Sequence, residues 1–326
     1  MSDTLQARRV DAQAIPTIDV AGLFSARLSE RQAVAQHMRA ACEHNGFFYV
    51  ENHGVPGDLI DEVMAQAKLF FDQPLTEKLT LDKCHSKANR GYEPFGGQTL
   101  EPGAPPDLKE GFYIGPEVPV DDPRAAKFNR GPNQWPPAAP AFRAVMETYR
   151  DQMAALATRL MRGFALSLDL PETYFEAFCA DPVVTVRLLH YPPQPASAPP
   201  QQRGAGAHTD FGGITLLLQD EVGGLQVWDQ ATGGFIHAPP ISGTFVVNLG
   251  DMIARWTNDR YRSTLHRVVN TSGRERYSIP FFFTGNSDHL VSCIPNCLGP
   301  GEQPKYPPIT VEAHLRAMYQ RTYGAA

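Results

Sequence analysis

At Asp181 the apolar pattern of this chain changes from helical spacing to short runs of β type, and that change limits the fold more than any other feature. The runs cover 184–191, 214–219, 225–228, 244–249, 266–270 and 276–284, with turn signals such as Gly223-Gly224, Gly233-Gly234 and Ser272-Gly273 between them. Strands that follow one another without crossover helices cannot build a parallel βαβ sheet, so an antiparallel sandwich or barrel is expected. Upstream the spacing is mainly helical. Residues 29–45 place Val34, Met38, Ala41 and Cys42 on one face, and a second helix from Pro56 carries Ile60, Val63, Ala67 and Phe70. A strand over 46–50 separates them. Residues 101–140, rich in Pro and Gly, read as an irregular excursion, and a helix over 139–168 braces the sheet. A last helix is expected over 311–323. The fold class is therefore mainly β with flanking helices, in three parts: a helical or mixed region over 1–180 packed on the core, the β core over 181–290, and a C-terminal loop and helix over 291–326.

With 326 residues the chain can bury a sizeable core, and 42% hydrophobic residues with a net charge of −6 argue against both disorder and a nucleic-acid-binding field. No apolar run approaches the ~18 residues of a membrane span, and the first residues show no secretory leader. Five scattered cysteines suit reduced thiols, so a cytoplasmic protein is expected, with no nucleic-acid or membrane partner. Cys293 and Cys297 lack a second pair and are not expected to hold zinc. The oligomeric state stays open.

The chemistry is concentrated in His208-Thr-Asp210. In an extended segment residues i and i+2 share a face, so imidazole and carboxylate can grip one ion. Such a pair is common by chance, and His266 sharpens it as a third donor in the strand-like run 265–269. Two imidazoles and a carboxylate leave three coordination positions open for non-haem Fe(II), with zinc as the competing metal. Downstream, Arg276 and Ser278 share a face with Tyr277 on the other, forming a receptor for a carboxylate, unless Arg276 pairs with a core acid.

His208-Thr-Asp210, His266-Arg-Val268 and Arg276-Tyr-Ser278 resemble the isopenicillin N synthase-like branch of the Fe(II)/2-oxoglutarate-dependent dioxygenases, with 55 residues between Asp210 and His266 and nine between His266 and Arg276. The resemblance extends to Ile15-Pro-Thr-Ile-Asp19, the stretch 46–54, Tyr191-Pro-Pro193 and Asn248-Leu-Gly-Asp251, and so spans nearly the whole chain. It implies a double-stranded β-helix, or jelly roll, wrapped by helices. It also implies Fe(II) on His208, Asp210 and His266, and 2-oxoglutarate with its distal carboxylate at Arg276 and Ser278 near the Tyr191 hydroxyl. O2 would be consumed, with ascorbate as accessory reductant, and a small organic substrate hydroxylated, desaturated or cyclised with release of succinate and CO2. Some relatives carry an Asn two residues before that Tyr; here the position is Leu189.

Arg187 shares the face of Leu189 and Tyr191. It could substitute for the missing Asn, bind an acidic substrate or form an internal ion pair. The alternation from Arg276 points Phe282 inward as a ring against the substrate, while Phe112, Tyr113 and Phe211 are read as core. Two other readings stay open: an oxidase of the same fold that uses no 2-oxoglutarate, and a metal-free jelly-roll binding module.

Overall fold

The computed structural model describes residues 7, 14–137, 139–195, 197–199 and 201–323. In chain order β1 (Thr17–Asp19), α1 (Leu28–His44), β2 (Phe47–Glu51), α2 (Gly57–Phe71), α3 (Leu75–Leu79), β3 (Gly91–Glu93), β4 (Glu110–Ile114), α4 (Pro140–Ser167), α5 (Glu176–Cys179) and β5 (Val183–Tyr191) come first. Then follow β6 (Ala205–His208), β7 (Ile214–Gln219), β8 (Leu225–Asp229), β9 (Gly234–His237), β10 (Phe245–Leu249) and α6 (Asp251–Trp256). The remainder is β11 (His266–Val268), β12 (Arg276–Gly285), β13 (Leu290–Val291), β14 (Ile309–Thr310) and α7 (Val311–Tyr323).

Eight strands in the order β1-β2-β10-β7-β12-β5-β4-β3 form a large sheet, and four in the order β6-β11-β8-β9 form a small one. Only β1 and β2 run parallel within these sheets. Period-2 alternation divides the interior in two. Ile279, Phe281 and Phe283 of β12 and Val184, Val186 and Leu188 of β5 join the core made with α1, α2 and α4. Leu189 and Tyr191 turn the other way and pack with Leu225, Val227 and Val268 of the small sheet. The large sheet is thus braced by helices outside and by the small sheet inside, which is the jelly-roll arrangement. Each fully buried Phe of the outer layer is worth about 3–5 kcal/mol against truncation to Ala.

The four expected helices, α1, α2, α4 and α7, fall where their apolar spacing places them, the short α3, α5 and α6 being unforeseen, and Pro140 at the start of α4 suits a first turn that has no use for its N–H. The region before Asp181 is mainly helical as expected, and β1 to β4 within it also supply four of the eight strands of the large sheet. One expectation is corrected. The excursion over 101–140 contains β4, wholly buried and paired with β5 from Glu110↔His190 to Ile114↔Val186. Glu110 and Gly111 disfavour a strand locally, but Lys78 at 2.8 Å and His190 at 2.7 Å neutralise the buried Glu110, so tertiary contacts decide. No helix among the described residues is long and apolar enough to cross a membrane.

Candidate active site

His208 ends β6 and His266 opens β11, directly opposite in the ladder, with ring centroids 4.3 Å apart. Asp210 follows in the turn after β6. Its Oδ1 lies 3.9 Å from His208 Nε2 and 3.8 Å from His266 Nε2. Among the described residues this is the one cluster of three or more His, Cys, Asp or Glu whose donor atoms could share a metal. The surroundings aim these atoms. The Nδ1 of His208 faces the Gly206 carbonyl at 2.7 Å and that of His266 the Thr264 carbonyl at 3.0 Å, so each ring donates there and leaves its Nε2 lone pair to the site. Asp210 Oδ2 accepts hydrogen bonds from Thr215 Oγ1 at 2.6 Å and Asn248 Nδ2 at 2.7 Å, freeing Oδ1.

Burial, and next the neighbouring His266, hold the His208 imidazole below its ordinary pKa and so in the neutral form a metal requires. Burial alone would raise Asp210, but the two imidazoles and the bonds from Asn248 and Thr215 hold it below the usual carboxylate range. Thr215 and Asn248 are cross-strand partners on β7 and β10. The large sheet therefore grips Asp210 while the small sheet carries both histidines. This donor set fits Fe(II).

Along β12, Arg276, Ser278, Pro280 and Phe282 line one cavity with Leu189 and Tyr191 of β5, both histidines and Asp210. Arg276 is completely buried and sits over the Tyr191 ring at 4.8 Å. Its Nη1 donates to Ser278 Oγ at 3.1 Å, its Nη2 to Gln219 Oε1 at 3.0 Å and its Nε to the Gly223 carbonyl. All three acceptors are uncharged. Among the described residues Arg276 forms no salt bridge to a core acid, the expected alternative, and a buried guanidinium bonded only to neutral acceptors favours the arrival of an anion. The recess fits a carboxylate.

Arg187 is different. Its Nη2 donates to Glu93 Oε2 at 2.7 Å and Gln98 Oε1 at 2.9 Å, and its guanidinium lies 4.5 Å from the centre of the Tyr113 ring. Burial would raise Glu93, but Arg187 and Lys83 pull it down to about 2. The ion pair expected as one of three options is present, and Arg187 nonetheless lines both the inner cavity and an outer one beyond the histidines. Phe282 also belongs to both cavities. Phe112 is core, with Phe70 at 4.4 Å. Tyr113 is buried and Phe211 packs against the core, as read, and both also line the outer cavity with Thr185, Gln98 and Tyr319 of α7. Sequence reasoning missed Thr215, Asn248, Gln219, Gln98 and Tyr319. Only Asn248 had a signal, as the first residue of Asn248-Leu-Gly-Asp251.

Residues 182–285 match the family model of the 2OG-Fe(II) oxygenase superfamily, and residues 15–138 match that of the N-terminal region of the non-haem dioxygenase in morphine synthesis. Over 317 residues, 95% of this chain and 91% of the relative, the chain is 48% identical to the 2-oxoglutarate-Fe(II) type oxidoreductase hxnY of Emericella nidulans. The chain belongs to the 2OG-Fe(II) oxygenase superfamily. It is also 39% identical over 320 residues to the 2-oxoglutarate-dependent dioxygenase citB of Monascus ruber, covering 95% of this chain and 96% of that one. A full-length Neurospora crassa protein solved with alpha-KG and 5-formyluracil superposes with a TM-score of 0.83 at 33% identity, covering 99% of this chain and 100% of the other. This oxygenase is an Fe(II)- and 2-oxoglutarate-dependent dioxygenase that acts on a small metabolite.

Proposed function

We propose that His208, Asp210 and His266 are the protein ligands of Fe(II), that Arg276 and Ser278 receive the distal carboxylate of 2-oxoglutarate beside Tyr191, and that a small organic metabolite fills the outer cavity. The buried guanidinium of Arg276, hydrogen-bonded only to neutral acceptors on the same cavity wall as the triad, carries this reading. Iron bound there supplies the chemistry that couples decarboxylation of 2-oxoglutarate by O2, giving succinate and CO2, to oxidation of the substrate. The chain's own residues orient and exclude. Arg276 and Ser278 hold the far end of the cosubstrate, Tyr191 and Leu189 wall it from water, and Thr215 and Asn248 keep Asp210 ionised and aimed.

Phe282 and Arg187 contact the substrate where the two cavities meet; in support, both line each of them. Phe282 offers a ring face and Arg187, already paired with Glu93, a fixed hydrogen-bond donor. The Neurospora crassa protein solved with 5-formyluracil supports a metabolite of modest size. We place the oxygenase in the cytoplasm, in keeping with five free cysteines, and away from nucleic acid, in keeping with its net charge of −6.

A screen of small metabolites for substrate-stimulated succinate formation tests the reading and identifies the substrate. With that substrate, Phe282→Ala is expected to raise its apparent Kd while leaving that for 2-oxoglutarate near wild type. An equal rise in both constants refutes a substrate contact for the ring.

A further inference from the structure

Asp251, the last residue of Asn248-Leu-Gly-Asp251, lines neither cavity of the site, yet it is bound to both segments that carry the triad. It opens α6, and its backbone N–H donates to the Asp210 carbonyl at 2.8 Å. Its neighbours continue the stitching, Gly250 N–H to the Gly213 carbonyl at 2.8 Å and Met252 N–H to the Gly212 carbonyl at 3.2 Å. The two turns approach so closely that a Cβ on Gly250 would lie 2.2 Å from the Gly212 oxygen, which explains the glycine there. This backbone seam presses the Asp251 side chain against the turn of His208 and Asp210.

The two carboxylate oxygens then divide. Oδ2 accepts from Thr209 Oγ1 at 3.2 Å, and Thr209 is the residue between the two ligands of the first segment. Oδ1 accepts from Ser263 Oγ at 2.7 Å, and Ser263 precedes Thr264, whose carbonyl orients the His266 ring. One carboxylate thus spans from the His208–Asp210 segment to the approach of His266. Strand pairing cannot do this alone. The β6–β11 ladder changes register between His266↔His208 and Val268↔Ala205, an irregularity beside the two imidazoles. A bulge locally disrupts the ladder and leaves the strand free to bend, just where donor atoms of two strands must converge on one ion.

Resting on the assignment of His208, Asp210 and His266 as iron ligands, we propose that Asp251 is a positioning residue that sets the spacing of the two ligand-bearing segments, and with it metal affinity, through Thr209 and Ser263. It touches neither cosubstrate nor substrate. Groups hydrogen-bonded directly to a metal ligand typically change metal affinity by roughly 10–100-fold when lost, and Asp251, acting one step further out through Thr209 and Ser263, stands at the lower end of that range.

The test is calorimetric titration of full-length metal-free protein with Mn(II) in the absence of turnover. Asp251→Ala is expected to weaken Mn(II) binding by roughly 10-fold. Thr209→Val and Ser263→Ala each weaken it several-fold, whereas Thr209→Ser and Ser263→Thr, which keep the hydroxyl, bind as wild type. 2-Oxoglutarate affinity at saturating Mn(II) is unchanged throughout. If Asp251→Ala does not fold, the two hydroxyl pairs decide. Metal affinity in Asp251→Ala within about twofold of wild type, or no difference between the hydroxyl-deleting and hydroxyl-retaining variants, overturns the proposal. His266→Ala serves as control: if it still binds Mn(II) as wild type, the ligand assignment itself fails; if it loses Mn(II) while the Asp251 set does not, only the positioning role fails.

Discussion

Replacing Arg276 with Gln removes a buried positive charge of the inner cavity that, among the described residues, forms no salt bridge. A carboxylate placed against the guanidinium and Ser278 gains charged hydrogen bonds worth about 1.5–3 kcal/mol each, or about 3–6 kcal/mol for a two-pronged contact. At about 1.4 kcal/mol per tenfold, that is a weakening of 2-oxoglutarate binding by roughly 10²–10⁴-fold. Ser278→Ala, which removes one hydroxyl donating to the carboxylate, costs about 1.5–3 kcal/mol, or roughly 10–10²-fold. The side chain also bonds Gln219 and the Gly223 carbonyl, so the variant loses internal bonds as well as an unfavourably buried charge. These two effects oppose each other, and the ligand-free variant is expected to stay folded. The assay is anaerobic calorimetry of 2-oxoglutarate binding with Mn(II) in the metal site, accompanied by melting curves. A folded Arg276→Gln protein that loses less than about tenfold in affinity refutes the assignment of this recess to the distal carboxylate.

Other outcomes follow from the same geometry. His266→Ala, by removing one of three ligands, is expected to abolish stoichiometric Fe(II) binding and turnover while circular dichroism stays native; full occupancy and activity would exclude His266 as a ligand. His190 lies between Glu110, at 2.7 Å, and Glu275, stacked 4.8 Å from Tyr277. Burial works against its charge, yet the bonds to Glu110 and Glu275 outweigh it and raise the imidazole above its ordinary value of about 6.5. A group whose pKa is raised by folding gives its full stabilisation below the unfolded value and loses it as pH climbs through the folded value. The melting temperature of wild type relative to His190→Gln is therefore expected to be greatest below about pH 6.5 and to shrink above it; a difference independent of pH would show that the charge contributes nothing.

The sequence by itself determined the outline of the fold and the triad, because both depend on local rules. Period-2 alternation placed Arg276, Ser278 and Phe282 on the inward face of β12 and Leu189 and Tyr191 on that of β5, and the helices over 28–44 and 57–71 followed from apolar residues three and four apart. Short range also limited what could be read. Glu110-Gly111 looked unlike a strand, and β4 exists because Lys78 and His190 neutralise Glu110 from elements 32 and 80 residues away. In the sequence Arg276 stood out through Ser278 two residues on, while Arg187, on the inward face of its own strand, kept an internal ion pair among its possible roles. Only folding brought Glu93 to Arg187, 94 residues distant, and left Arg276 with Gln219, Ser278 and a carbonyl. The charge of an arginine is written in the chain, but whether it is compensated depends on which distant strand arrives beside it. That is why a guanidinium bonded only to neutral acceptors could be recognised at Arg276, and not at Arg187, only once the sheets were closed.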